Sequence, residues 1–97
     1  MEKNRNYVDV RFRFFLLDRL YTQGSFTFFD LKCTVMRDSG KTISDRRLRD
    51  ILDIMTHNRL LRKIRMDEPD VNGSLLLYQI SKKGIKKWQY YNKKLNQ

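Results

Sequence analysis

Apolar positions recur along this chain with two spacings. Between positions 43 and 58 (ISDRRLRDILDIMTHN), Leu48, Ile51, Leu52 and Met55 fall at i, i+3, i+4 and i+7, while Arg46, Arg47, Arg49, Asp50 and Asp53 take the other side. That is the pattern of a helix with one buried and one exposed face. Ser44 stands where a side-chain oxygen accepts from first-turn amides, and Ile43 can pack on Leu48 as a hydrophobic staple. Asn58 tolerates the left-handed conformation that ends helices, so positions 59–66 are expected to leave as a strand. There Leu60, Arg62, Ile64 and Met66 alternate with Leu61, Lys63 and Arg65, the period of a half-buried strand with a strongly cationic face.

The rest of the chain divides the same way. Positions 6–23 read as a helix closed by Gly24, with Val8, Phe12, Phe15, Leu16 and Leu20 on one face. A second stripe, Val10, Phe14, Leu17 and Tyr21, runs along roughly the opposite side. Either the domain wraps this helix completely or the second stripe meets a second copy or another protein. A short strand is expected at 25–27. Thr27 then caps a helix over 28–36, with Asp30 at the capping-box position and Phe26 and Leu31 as staple. RDSGKT at 37–42 is turn chemistry. DEPDVNG at 67–73 separates the strand at 59–66 from another at 74–80, forming a hairpin. Ser81 caps a last helix on which Ile85, Trp88, Tyr91 and Leu95 share a side, and Lys82, Lys83, Lys86, Lys87, Lys93 and Lys94 cover the rest.

Composition narrows the function classes. Lys and Arg number 21 against 11 acids in 97 residues, a net charge of +10, which points to a polyanionic partner, nucleic acid ahead of an anionic membrane. The length allows one domain, expected over 1–97. Cys33 is the sole cysteine, so no intrachain disulfide forms and a reducing, cytoplasmic setting is expected. The apolar run at 12–17 is broken by Arg13 and reads as neither a membrane span nor a signal peptide. His57 is the one histidine, no glycine-rich phosphate loop appears, and no nucleophile has an obvious base; an enzyme and a bound metal or cofactor are not expected.

The order helix, short strand, helix, helix, strand, strand, helix resembles the winged helix-turn-helix domain, an α+β fold of three core helices, a two-stranded wing and a C-terminal helix. The run LLLYQISKKGIKKW at 75–88 is similar to the second wing strand and following helix of the MarR and PadR families, with Tyr78, Ile80, Ser81 and Gly84 at the family's corner positions. HNRLLRKIRMDEPDVNGSLLLYQIS upstream resembles their recognition-helix end and wing.

The resemblance implies that Arg46, Arg47 and Arg49 lie on a recognition helix, with Lys41, Thr42 and Ser44 at its start and Arg62, Lys63 and Arg65 on the wing strands. Asp67, Glu68 and Asp70 depart from the basic wing tips common in the family and argue against insertion of the tip beside phosphates. Val10, Phe14, Leu17, Tyr21, Trp88, Tyr91 and Leu95 are the expected interface of a homodimer or of a larger complex. The leading expectation is a transcriptional regulator that binds duplex DNA. The alternative is an accessory subunit of a replication or mobile-element complex, binding single strands or a polymerase or helicase, with Trp88, Tyr90 and Tyr91 as candidate base-stacking residues. A purely protein-binding winged helix is a third class, recognisable by the absence of salt-sensitive DNA affinity.

Overall fold

Caps and glycines decide where the helices stop and start. In the computed structural model, which describes the backbone of residues 2–67 and 74–95 and the side chains of 11–66 and 76–94, helix α1 spans Glu2–Gln23. It begins earlier than the apolar spacing predicts. It ends where Gly24 takes a φ of 94° and its amide donates to the Leu20 carbonyl at 3.2 Å. Strand β1 is only Phe26–Thr27. Thr27 Oγ1 accepts from the Asp30 amide at 3.1 Å and so starts α2, Phe28–Ser39, as the capping pattern predicts.

Helix α2 runs three residues past its expected end at Met36. Arg37 and Asp38 continue the helix because Asp38 is tied on both sides: Arg37 Nε lies 3.0 Å from Oδ1, and Arg19 Nε of α1 lies 2.8 Å from Oδ2. Gly40, φ 70°, then supplies the left-handed cap and donates to the Met36 carbonyl.

Helix α3, Asp45–His57, starts on Ser44, whose Oγ accepts from the Arg47 amide at 3.2 Å. Its end corrects the expectation for Asn58. Asn58 has φ −80°, and Arg59 is the left-handed residue at φ 64°. The Leu60 amide reaches back to the Met55 carbonyl and the Arg59 amide to Thr56, both at 2.9 Å. This double bond pattern requires the left-handed residue one place beyond the cap, whatever its identity. Leu60 and Met55 are both buried at this corner, and burying such side chains contributes about 1.5–3 kcal/mol each.

Strand β2, Leu61–Asp67, pairs antiparallel with β3, Ser74–Ile80, in the register Leu61↔Ile80 to Asp67↔Ser74, and β1 pairs with the other edge of β3. The sheet order is β1-β3-β2. The expected acidic tip, Glu68 and Asp70 with the Asp67 side chain, lies outside the described residues. Ser81 joins the wing to α4, Lys82–Leu95: its amide donates to the Leu60 carbonyl (3.0 Å), its Oγ donates to the Arg59 carbonyl (2.5 Å) and accepts from the Gly84 amide (3.0 Å). One hydroxyl therefore caps α4 and fastens it to the end of α3.

The core gathers Leu16, Leu17 and Leu20 of α1, Leu31 and Val35 of α2, Leu48, Ile51, Leu52 and Met55 of α3, and Leu61 and Tyr78 of the wing. Leu17, only 1% exposed, corrects the expectation that placed it on an intermolecular interface. It stands on the edge of the second stripe nearest Leu20 of the first and is enclosed by its own chain.

Candidate nucleic-acid interface

The exposed side of α3 does not present its three arginines together. At about 100° per residue, Arg47 stands roughly 100° round the helix from Arg46 in one direction and Arg49 about 60° round in the other. Arg46 shares the outermost crest with Asp50, Asp53 and His57, all exposed. Arg46 makes no ion pair with any described residue. Arg49 is held on the flank facing α2: its guanidinium carbon sits 4.0 Å from the centroid of Phe28, a cation–π contact. Arg47 takes the other flank, at the mouth of a cleft of about 800 Å³ lined also by Arg11, Phe12, Phe15, Val35, Ser39, Lys41, Thr42, Ile43, Ser44 and Ile51. The expected single front of Arg46, Arg47 and Arg49 is thus divided among a crest and two flanks.

At the start of α3, Asp45 pairs with Lys32 of α2. That hydrogen bond, with the charges of Lys32 and then Arg49, holds the Asp45 carboxyl below the usual carboxylate range. Lys41 and Thr42 are exposed on the turn, where the Lys41 amide donates to Ser39 Oγ at 3.2 Å. Ser44 Oγ, spent as an acceptor on the cap, keeps a hydroxyl proton to donate.

On the wing, alternation separates the predicted cations. Lys63 shares a sheet face with Leu61 and Arg65; its Nζ is 3.3 Å from Asp53 of α3 and 5.8 Å from the Tyr78 ring centroid. Arg62 lies on the opposite face, across from Gln79, whose Nε2 donates to Ser25 at 2.6 Å. Lys63 and Arg65 therefore accompany α3, and Arg62 is corrected to the far side of the sheet. Between wing and helices lies a second cleft of about 410 Å³, lined by Thr27, Phe28, Phe29, Lys32, Asp45, Arg49 and Leu76. Phe29 is 70% exposed there.

The expected interface on α1 and α4 is partly consumed inside the chain. Trp88 Nε1 donates to Asp18 at 2.9 Å, and the Trp88 ring stacks on Tyr21 with centroids 4.1 Å apart. Tyr21 covers one face of that indole, which argues against Trp88 as a platform for unpaired bases. Phe14 and Tyr91 stay half-buried, with Tyr91 edge-on to Tyr90 at 5.4 Å. The side chains of Val10 and Leu95 lie outside the described residues.

Sequence reasoning missed Phe28, Arg11 and Ser39. A Phe-Phe pair directly after a capping Thr was the one available signal for Phe28. Among the described residues, no three His, Cys, Asp or Glu side chains gather to hold a metal ion, and no helix is long and apolar enough to cross a membrane.

No protein-family model matches this chain, and no curated protein matches it in sequence. Solved structures do. A transcriptional-regulator structure from Thermoplasma acidophilum superposes with TM-score 0.80 at 13% identity, over 94% of this chain and 85% of that one. A PadR-like transcription factor from Bacteroides fragilis gives 0.75 at 12% identity, over 99% and 97%. Bacillus subtilis PadR, solved in complex with operator DNA, gives 0.70 at 11% identity over 82% of this chain, which spans only 45% of PadR. The chain has the winged helix-turn-helix fold, in the form shared by PadR-like regulators.

Proposed function

We propose that this protein is a transcriptional regulator that binds duplex DNA, with α3 in the major groove and the Lys63–Arg65 side of the wing along the adjacent backbone. The observation that carries the reading is Arg46: it heads the exposed crest of α3, without an ion-pair partner among the described residues, on a chain of net charge +10. Lys41 and Arg47 on one flank and Lys63 and Arg65 across from the other supply phosphate contacts on both sides. Operator binding by the similarly folded Bacillus subtilis PadR supports the same reading. A second copy, meeting the first through the outer side of α1 and α4 around Phe14 and Tyr91, would present two α3 helices to successive turns of the groove.

Fluorescence-anisotropy titration with duplex and single-stranded oligonucleotides across a salt series tests this. Duplex binding is expected to be the tighter, with affinity falling steeply as salt rises, by a log–log slope of about −0.9 per phosphate neutralised. Salt-insensitive or absent binding overturns the proposal.

A further inference from the structure

Helix α4 carries six lysines and no carboxylate. At about 100° per residue, Lys82, Lys83, Lys86, Lys87, Lys93 and Lys94 fall within an arc of about 140°, along about 18 Å of helix, with the exposed Tyr90 near the middle. None of the six forms an ion pair with any described residue, whereas cations elsewhere are matched: Lys32 with Asp45, Lys63 with Asp53, Arg19 with Asp38. The arc weakens the free chain. Lys82 and Lys86, and Lys83 and Lys87, set like charges one turn apart, and Lys82 and Lys83 stand in the first turn, where the helix dipole favours anions. The arc also looks away from the helix-turn-helix. Trp88, nearly opposite the arc on α4, stacks on Tyr21 of α1, while Arg19, about 160° round α1 from Tyr21, meets Asp38 of α2. Helix α1 thus stands between α4 and α2, and a straight duplex along the start of α3 does not reach the lysines.

We propose that the lysine face of α4 is a second nucleic-acid surface, which holds the phosphodiester backbone of a duplex segment other than the one under α3, without regard to base sequence. With both surfaces occupied, one molecule bridges two duplex segments. The bridging rests on the regulator reading; the α4 surface shares no residue with it. A row of point charges without arginine forks suits phosphate and reads no base edge. An anionic bilayer is disfavoured, because an interfacial helix lays its apolar side into the lipid and α4 turns Trp88 onto its own core. An acidic protein would need an apolar anchor among the charges, and the face offers only Tyr90, which already has Lys94 5.0 Å from its ring centroid. A second copy docked around Phe14 and Tyr91 leaves the arc open, since Lys82, Lys83, Lys86 and Lys93 all lie at least about 80° round α4 from Tyr91.

Capture tests the bridge: one duplex is fixed to beads, a fluorescent duplex of unrelated sequence is free in solution, and the full chain is added. The unaltered chain is expected to retain the fluorescent duplex. The variant with Lys82→Gln, Lys83→Gln, Lys86→Gln and Lys93→Gln is expected to retain at least about ten-fold less, while its affinity for a single duplex falls by less than about three-fold. Its Tm should be no lower, because the substitutions relieve like-charge pairs. Amine acetylation of the unaltered chain, read by mass spectrometry, needs no variant to fold: excess duplex should protect the same four lysines. Equal acetylation with and without duplex, undiminished capture by the variant, or lysine protection by phosphatidylglycerol vesicles and not by duplex overturns the proposal. So does protection without capture where Arg46→Ala weakens single-duplex binding, since one duplex then touches both surfaces. If Arg46→Ala changes nothing while the α4 lysines stay protected, the regulator reading fails and the α4 surface stands.

Discussion

The carbonyl oxygen of Leu60 occupies the space where Gly84 would carry a side chain. A Cβ at Gly84 would overlap that oxygen and come within 2.7 Å of Ile80 Cγ1. Because the obstruction is backbone, it cannot swing aside. Gly84→Ala is therefore expected to destabilise the fold by about 1–3 kcal/mol, lowering Tm by about 4–8 °C for each kcal/mol. Thermal melts monitored by circular dichroism measure this, and an unchanged Tm would show that α4 is not seated against the end of α3.

Arg59 predicts a change of opposite sign. An L-residue at φ 64° carries a steric penalty that glycine lacks, so Arg59→Gly is expected to stabilise by about 0.5–1 kcal/mol in urea titration. A loss of stability would mean that the side chain contributes more than its backbone conformation costs.

The division of the α3 arginines separates affinity from stability. Arg46→Ala should lower duplex affinity by about ten-fold, at the lower end of the 1–3 kcal/mol of a good arginine–base contact, without moving Tm. Arg49→Ala should instead lower stability by about 0.5–1 kcal/mol through loss of the contact with Phe28, with a smaller effect on DNA. Anisotropy and melting on the same samples distinguish the two; equal effects on affinity would restore a single arginine front.

Leu17 and Phe14 are neighbours on one stripe with different fates. Leu17→Ala leaves a cavity and is expected to cost about 2–5 kcal/mol. Phe14→Asp, at a half-buried position, should leave the fold intact and shift the mass measured by light scattering towards the monomer. A monomer in both forms would remove the dimer through α1 and α4.

The Lys32–Asp45 pair makes a pH prediction. The folded Asp45 carboxyl is held below its unfolded range, so its contribution is complete above about pH 4 and is lost as pH falls through the lowered value. The Tm difference between the unaltered chain and Asp45→Asn should therefore narrow below pH 4 and stay constant from pH 5 to 8. A gap that persists in acid would assign the pair no role. Asp38, lowered chiefly by its hydrogen bonds to Arg37 and Arg19, should behave likewise.

How much of this was legible beforehand depends on the range of the interaction. Caps at Thr27, Ser44 and Ser81 are local chemistry, and the sequence displays them directly. The buried stripe Leu48, Ile51, Leu52 and Met55 follows from spacing alone. The left-handed residue after α3 was misplaced because side-chain preference favours Asn58, whereas the bond pattern at the helix end demands position 59. The length of α2 was missed because Asp38 depends on Arg19, nineteen residues away. Around the candidate site, spacing could put three arginines on an exposed helix but could not see Phe28 beneath one of them. Nor could alternation within β2 say which of its two faces looks towards α3; Asp53 reaching Lys63 decides that.

The sheet order β1-β3-β2 leaves β2 at the outer edge of the described sheet, with unpaired amides and carbonyls along one side. Such an edge invites another chain to add a strand. Arg62, Lys63 and Arg65 place cations on both faces of that border, so a second β2 brought alongside would meet like charge wherever two of them fall opposite each other. The wing's basic residues thus also protect the protein from its own copies, and neutralising them would exchange nucleic-acid affinity for a tendency to aggregate through the wing.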